Sequence, residues 1–287
     1  AAAGWFIARR TSKPIEQLSA SAVEIASTQD TSQLIDIKAS GEVADLVSSF
    51  NTMLQALGNS VAQQKQLVQD ASHELRTPLT SLRANSELLE RPDLPQHTRE
   101  EIIHDIRAEI DELTALSSEL SALASDQRSS EDPAAVDIAE AVQEVVERAQ
   151  RRSGRIVELH SASPAQVMVR PAQFDRAISN LIDNAIKFSP AGSKVDVFIK
   201  GTRIEVHDSG PGIAPEDRQF VFDRFYRAAA TRAMPGSGLG LAIVKQFADI
   251  HRATTFVGAS GTGGAMVGLD LAPTATWGSG THTVGTK

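Results

Sequence analysis

The feature that most restricts the fold is a seam of apolar residues at Leu54, Leu57, Val61, Val68, Ala71, Leu75, Pro78, Leu82 and Leu89, with Gln64 its polar member, in nearly unbroken heptad register. Residues repeating at alternating three- and four-residue intervals lie on one side of an α-helix, so the spacing predicts a single long helix to about Glu90. The run Arg91-Pro92-Asp93-Leu94-Pro95 ends it, because proline lacks a backbone donor and disfavours helix in the residue before it. A return seam follows at Ile103, Ile106, Ile110, Leu113, Leu120 and Leu123 and stops near Ala124. The pattern predicts a helical hairpin. Two helices with one apolar stripe each cannot close a core, so a homodimeric four-helix bundle is expected.

Upstream, Ile15, Leu18, Ala22 and Ile25, then Val43, Val47, Phe50, Leu54 and Leu57, are also 3-4 spaced, which predicts two amphipathic helices joined by a polar connector containing Gly41. The chain opens on alanine, as expected of a piece of a longer protein. Its first eight residues are apolar and stop at Arg9-Arg10. They are too short for a bilayer, which needs about 20. They read as the end of a transmembrane helix, with Trp5 near the interface and the arginine pair on the cytoplasmic side.

Residues 126–133 are polar and breaker-rich, a hinge into a second region. There, helical patterns at 138–151, 172–188 and 238–250 alternate with strand patterns at 194–200 and 203–208, the latter pair separated by Gly201-Thr202 as in a hairpin. A Gly-rich strand pair near 255–271 completes an α/β sandwich, not a doubly wound fold. The tail from 273 reads as disordered. The net charge of −8 resides entirely in residues 1–130, which argues against a nucleic-acid partner. The absence of cysteine excludes disulfides, thiolate zinc sites and cysteine nucleophiles, and fits a reducing compartment.

Five groups of residues carry chemistry. With Val61, Val68, Leu75 and Leu82 at heptad position a, His73 falls at f, away from the seam and exposed. Beside Glu74 it can attack through one ring nitrogen and release a proton from the other. Pro78 takes the donor that would bond the carbonyl of Glu74, so a kink is expected one turn on. Asn180, Asn184 and Lys187 share one helix face, a set able to hold hydrated Mg²⁺ and touch phosphates. Asp208-Ser-Gly210-Pro-Gly212 follows a strand, where glycine permits close approach and the carboxylate can accept a hydrogen bond from an exocyclic amine such as that of adenine. Gly236-Ser-Gly238-Leu-Gly240-Leu241 opens a helix, where free N–H groups favour phosphate. Between them lie the aromatic run 222–227 and a small-residue stretch to Pro235, read as a mobile cover over a nucleotide.

In this order the five elements resemble a sensor histidine kinase of a bacterial two-component system, over residues 9–272. The resemblance implies the end of a transmembrane helix at 1–10, a HAMP segment at 11–58 with Pro14 and Glu42 as its markers, a dimerisation and phosphoacceptor domain at 59–128, a Bergerat-type ATP-binding domain at 132–273 and a disordered tail at 274–287. It implies ATP-dependent phosphorylation of His73, with Glu74 assisting, transfer to an aspartate of a response regulator, and a phosphatase role for Thr77. It assigns Asn184 to Mg²⁺, Asp208 to adenine, and Asn180, Lys187, Gly210, Gly212, Arg227, Gly236, Gly238, Gly240 and Leu241 to the rest of the ATP site. The implied setting is the cytoplasmic portion of a cell-membrane protein. One departure is His251-Arg252-Ala253, where the family more often has His-Gly-Gly, which bears on the loop's shape. Two rivals are a Bergerat ATPase of the chaperone or gyrase kind and a non-enzymatic signalling scaffold. The first would need a glutamate on the Asn-bearing helix, and none lies between Phe174 and Phe188. The second sits poorly with five intact motifs.

Overall fold

The structure, a computed structural model, describes residues 15–23, 25, 27, 28, 35, 37, 41–126, 131–163, 165–228, 231, 234, 236–261 and 263–272. The readings for residues 1–10, Pro14, the middle of the hinge, most of the cover at 229–235 and the tail from 273 lie outside these residues. The chain divides into two compact units between Arg76 and Thr77.

In the first unit, Leu18 of the helical residues 15–23 packs with Ile35, Val47 and Leu54, and Ile25, Ile37 and Phe50 lie against them. Ile35 and Ile37 belong to the connector, which the spacing treats as merely polar. Asn51 explains how a connector residue can be buried: its Oδ1 accepts the Ile35 N–H at 2.9 Å and its Nδ2 donates to the Ile35 carbonyl at 3.0 Å. Both backbone groups of Ile35 are thereby satisfied. Gly41, at φ 66°, turns the chain into α1 (Glu42–Leu89), which runs through Pro78 without ending.

After the break comes α2 (Gln96–Asp126). The Arg99 guanidinium donates to the carbonyls of Leu89 and Arg91, at 3.1 and 3.4 Å, and so satisfies groups left open at the end of α1. Ile102, Leu116 and Leu123 of α2 are buried, whereas Ile103 and Ile110 remain exposed. Among the described residues no helix is long and apolar enough to cross a membrane.

The α/β domain reads β1 (Ala134–Asp137), α3 (Ile138–Ser153), β2 (Val157–Ala162), β3 (Gln166–Val169), α4 (Pro171–Phe188), β4 (Val195–Lys200), β5 (Arg203–His207), α5 (Gly240–Ile250), β6 (Thr254–Ala259) and β7 (Ala265–Asp270). Its main sheet has the order β2-β4-β5-β7-β6, with β2 parallel to β4 and the other neighbours antiparallel. The sandwich is the one expected. Val142, Val145, Phe174, Ile178, Leu181, Val244 and Phe247 of the three helices meet Val195, Val197, Ile199, Ile204, Val206, Val267 and Leu269 of the sheet in one core. Strands β1 to β3 were not anticipated. β1 and β3 have four residues each and pair only with one another, and β2 is an edge strand with one buried residue, Val157; the alternation along Val157–His160 and Gln166–Val169 extends over only four positions each, too short to stand out.

Local chemistry sets the ends of these elements. Asp137 Oδ1 caps α3 by accepting the N–H groups of Ala139 and Glu140 at 2.9 and 3.1 Å, and left-handed Gly154 closes its other end. Helix α5 begins at Gly240 and not at Gly238, because Gly236 and Gly238 adopt φ 134° and 76°, which no helix accommodates. At the unusual turn, Arg252 takes φ 55°, the conformation glycine adopts freely. The turn keeps a glycine-type shape without the glycine.

Candidate nucleotide site

Strand β5 ends at His207, and Asp208 follows it into the domain, buried. Its Oδ1 accepts the N–H of Gly210 at 2.8 Å and of Ala265 at 2.9 Å, which fixes the carboxylate between the first glycine turn and the start of β7. A Cβ on Gly210 would lie 2.7 Å from the Phe188 carbonyl, and one on Gly264 would overlap the backbone of Asp208. These glycines are needed for close approach.

Asn180, Asp183, Asn184 and Lys187 project from α4 into a cavity of about 190 Å³, whose lining also includes Asp208, Gly212, Tyr226, Arg227, Gly236, Gly238, Gly240 and Leu241. The described structure thus brings all the expected nucleotide-site residues together except Gly210, which acts one step back by holding Asp208. Asn180 donates to the Arg176 carbonyl at 2.9 Å, and a Cβ on Gly240 would lie 3.0 Å from its Oδ1. Phe225 has φ 61° and donates its N–H to the Gly238 carbonyl at 3.1 Å, which ties the aromatic run to the second glycine turn. The Arg227 guanidinium donates to the Met234 carbonyl, and the Tyr226 hydroxyl donates to Asp217.

The charges inside are only partly solvated. Burial lowers the Lys187 pKa from its ordinary value and Arg227 adds to the effect, while Glu119 and Glu112 oppose it. Although the lysine as a whole keeps solvent contact, its ammonium end sits so close to Gly236 that a Cβ there would overlap it. Burial raises the carboxyl of Asp183, against the pull of the Arg152 guanidinium paired with it. Burial likewise raises that of Glu119, against the Ser237 hydroxyl and Lys187.

Glu112 and Glu119 are the residues that sequence reasoning missed. They stand on α2, whose polar positions read as a charged outer face, yet Glu112 Oε1 accepts the Gly236 N–H at 2.8 Å and Glu119 Oε2 accepts the Ser237 hydroxyl. The signal available was the 3-4 stripe Glu112, Leu116, Glu119, Leu123, obscured because the seam was traced through Leu113 and Leu120.

His73, Glu74 and Thr77 are all exposed on α1, with Thr77 one turn beyond the histidine. His73 and Glu74 belong to the first unit, and the cavity belongs to the second. For a divalent cation, the carboxamide oxygen of Asn184 offers a hard donor on the cavity wall that suits Mg²⁺ retaining several waters, whereas the neighbouring Asp183 carboxylate is already paired with Arg152. Among the described residues, Glu158, His160 and Asp196 form another cluster, but the Lys194 ammonium already donates to Glu158 and Asp196 at 2.8 and 3.1 Å.

Three family descriptions match: the HAMP domain over residues 6–59, the His Kinase A (phospho-acceptor) domain over 63–129, and the histidine kinase-, DNA gyrase B- and HSP90-like ATPase over 169–279. The chain is 41% identical over 262 residues to the signal transduction histidine-protein kinase/phosphatase MprB of Mycobacterium avium (strain 104), covering 88% of this chain and 50% of that protein. It is 40% identical over 284 residues to the MprB of Mycolicibacterium vanbaalenii, covering 94% and 58%. The chain therefore spans about half the length of the curated relatives it matches. A solved structure of the Acinetobacter baumannii histidine kinase AdeS shares the fold at a TM-score of 0.50 and 24% identity, over 69% of this chain and 95% of that one.

Proposed function

The chain belongs to the sensor histidine kinases of bacterial two-component systems, and from that membership we propose that it binds ATP in the α4 cavity, transfers the γ-phosphoryl group to His73 and passes it to an aspartate of a response regulator. The observation that supports this most is the convergence of Asp208, Asn184, Lys187 and the Gly236 turn, from separate segments of the chain, on one cavity.

In this reading Asp208 accepts a hydrogen bond from the adenine amine, held in place by its bonds to Gly210 and Ala265. Lys187 and the glycine-turn N–H groups face the phosphates, with Asn180 and Arg227 at the same end. Asn184 would hold Mg²⁺, which when bound neutralises phosphate charge. An imidazole nitrogen of His73 attacks the γ-phosphorus, the bond to the β–γ bridging oxygen breaks, ADP leaves, and the proton on the other ring nitrogen is released towards Glu74. Thr77, one turn on, positions a water for the opposite reaction, hydrolysis of the regulator's aspartyl phosphate. The open seams of α1 and α2 close against a second copy, and the HAMP segment links the bundle to a membrane-anchored sensor. The domain limits proposed are 11–58, 59–128 and 132–273.

Two variants test the reading together. His73→Gln should incorporate no label from γ-labelled ATP while binding ATP with nearly unchanged affinity. Asn184→Ala should lose the use of Mg-ATP with its histidine intact. Normal labelling of His73→Gln would contradict the assignment.

A further inference from the structure

Helix α2 does more than complete a hairpin. Glu112, Leu116, Glu119 and Leu123 stand at i, i+4, i+7 and i+11, so they share one face. Leu116 and Leu123 are buried, and the Leu123 carbonyl accepts a hydrogen bond from Gln246 Nε2 of α5 at 3.3 Å. The two carboxylates reach the glycine turn at successive positions: Glu112 takes the Gly236 N–H and Glu119 the Ser237 hydroxyl. Glu119 also lines the cavity itself and faces Lys187. A backbone N–H, a hydroxyl and an ammonium are the donors an anionic polyphosphate needs. Here side chains of the same protein hold them.

Resting on the ATP-site reading, we propose that Glu112 and Glu119 are built-in phosphate mimics: docked α2 occupies the polyphosphate end of the site, and ATP and α2 compete for the Gly236–Ser237 turn and Lys187. Two turns of helix separate the carboxylates by about 10 Å along the axis, so one rigid face of α2 engages the turn and the cavity together. The arrangement has an energetic asymmetry. Burial disfavours the charge on Glu119 and on Lys187 alike; Ser237 and Lys187 offset it for the carboxylate, and Glu119 and Glu112 offset it for the ammonium. Removal of α2 leaves the lysine and the turn without their acidic partners and favours their replacement by phosphate. The docked arrangement is a self-inhibited one, and any signal that shifts α2 relative to the α/β domain becomes a signal that admits ATP.

The test uses the full chain and two ligands. The double variant Glu112→Gln, Glu119→Gln keeps side-chain shape and removes charge. Glu101→Gln, Asp105→Asn makes the same charge change at exposed positions of α2 and serves as control. Affinities for Mg-ATP and for adenosine, which lacks phosphates, are measured by calorimetry. The Glu112/Glu119 variant should bind Mg-ATP about tenfold more tightly than the parent and the control, with adenosine affinity unchanged. Unchanged or weaker Mg-ATP binding overturns the proposal. So does an equal gain for both ligands, which would mean general loosening and not release of a phosphate site. If neither ligand binds any of the chains, the ATP-site reading itself fails, and this inference fails with it.

Discussion

In the α/β domain Val142, Phe174, Ile178, Leu181 and Ile199 are 2% exposed or less, whereas Val61, Val68 and Leu79 of α1 and Ile110 of α2 expose between 48% and 62% of their surface. Both regions carry regular apolar patterns. In the domain a sheet and three helices offer two layers, so one chain covers its own core. In the hairpin each helix has a single stripe, and one chain brings together too few stripes to bury them all. Apart from Glu119, the residues that line the candidate nucleotide cavity sit on the self-sufficient region. The part proposed to receive the phosphoryl group and relay signals sits on the region proposed to pack against a second copy. If the hairpin closes against a second copy as proposed, its stability becomes concentration-dependent while that of the domain does not.

The sharpest way to break this comparison is to charge the open seam. Val61→Glu, Val68→Glu places carboxylates at positions that a bundle would bury, and it should weaken self-association by more than about 100-fold, near 3 kcal/mol or above. Light scattering across a dilution series would show monomers, while the domain's thermal transition stays in place. A dimer of unchanged affinity would mean that the exposed seam is not the interface. Next in size is Gly264→Ala, whose Cβ would overlap the Asp208 backbone. It should destabilise the domain by about 2–3 kcal/mol and remove nucleotide binding, leaving association intact. Urea unfolding and calorimetry check this.

A pH series then probes the domain alone. Burial, with help from Arg170, lowers the His251 pKa to about 4, and the ring lies tilted against Phe247 and contacts Gln173. The folded state holds this histidine neutral, so its contribution is complete above an unfolded pKa of about 6.5 and declines as pH falls from there towards 4, where the unfolded chain binds the extra proton. Domain stability should drop by roughly 2 kcal/mol across that window, and His251→Gln should remove this part of the slope. An equal slope in the variant would place the effect elsewhere. The smallest effect is expected at Arg252→Gly. Relief of a left-handed residue outweighs the added freedom of the unfolded chain, for a gain of about 0.5 kcal/mol in the same urea measurement.

Much of this arrangement was legible because it rests on short-range rules. The long helix, the Pro92 and Pro95 break and the Gly201-Thr202 hairpin each follow from spacing alone, and they appear where expected. The glycine-rich turns announced the cavity because few other residues reach φ 134° at Gly236 or approach Phe188 as Gly210 does. What stayed hidden depended on partners far along the chain. Ile35 is buried only because Asn51 satisfies its backbone, β2 is a strand only because β4 lies beside it, and Glu112 reaches a site residue 124 positions away. Arg252 shows the converse. A missing glycine suggested an altered loop, and the surrounding structure holds arginine in the same region of φ.

The central claim is that ATP phosphorylates a nitrogen of His73. Incubation of the full chain with γ-labelled ATP and Mg²⁺, followed by peptide mapping, tests it directly. The account requires label on the peptide containing His73, lost at low pH and retained at high pH, as expected of a phosphoramidate P–N bond. Label that survives acid, or that maps to a serine or threonine elsewhere, would contradict it.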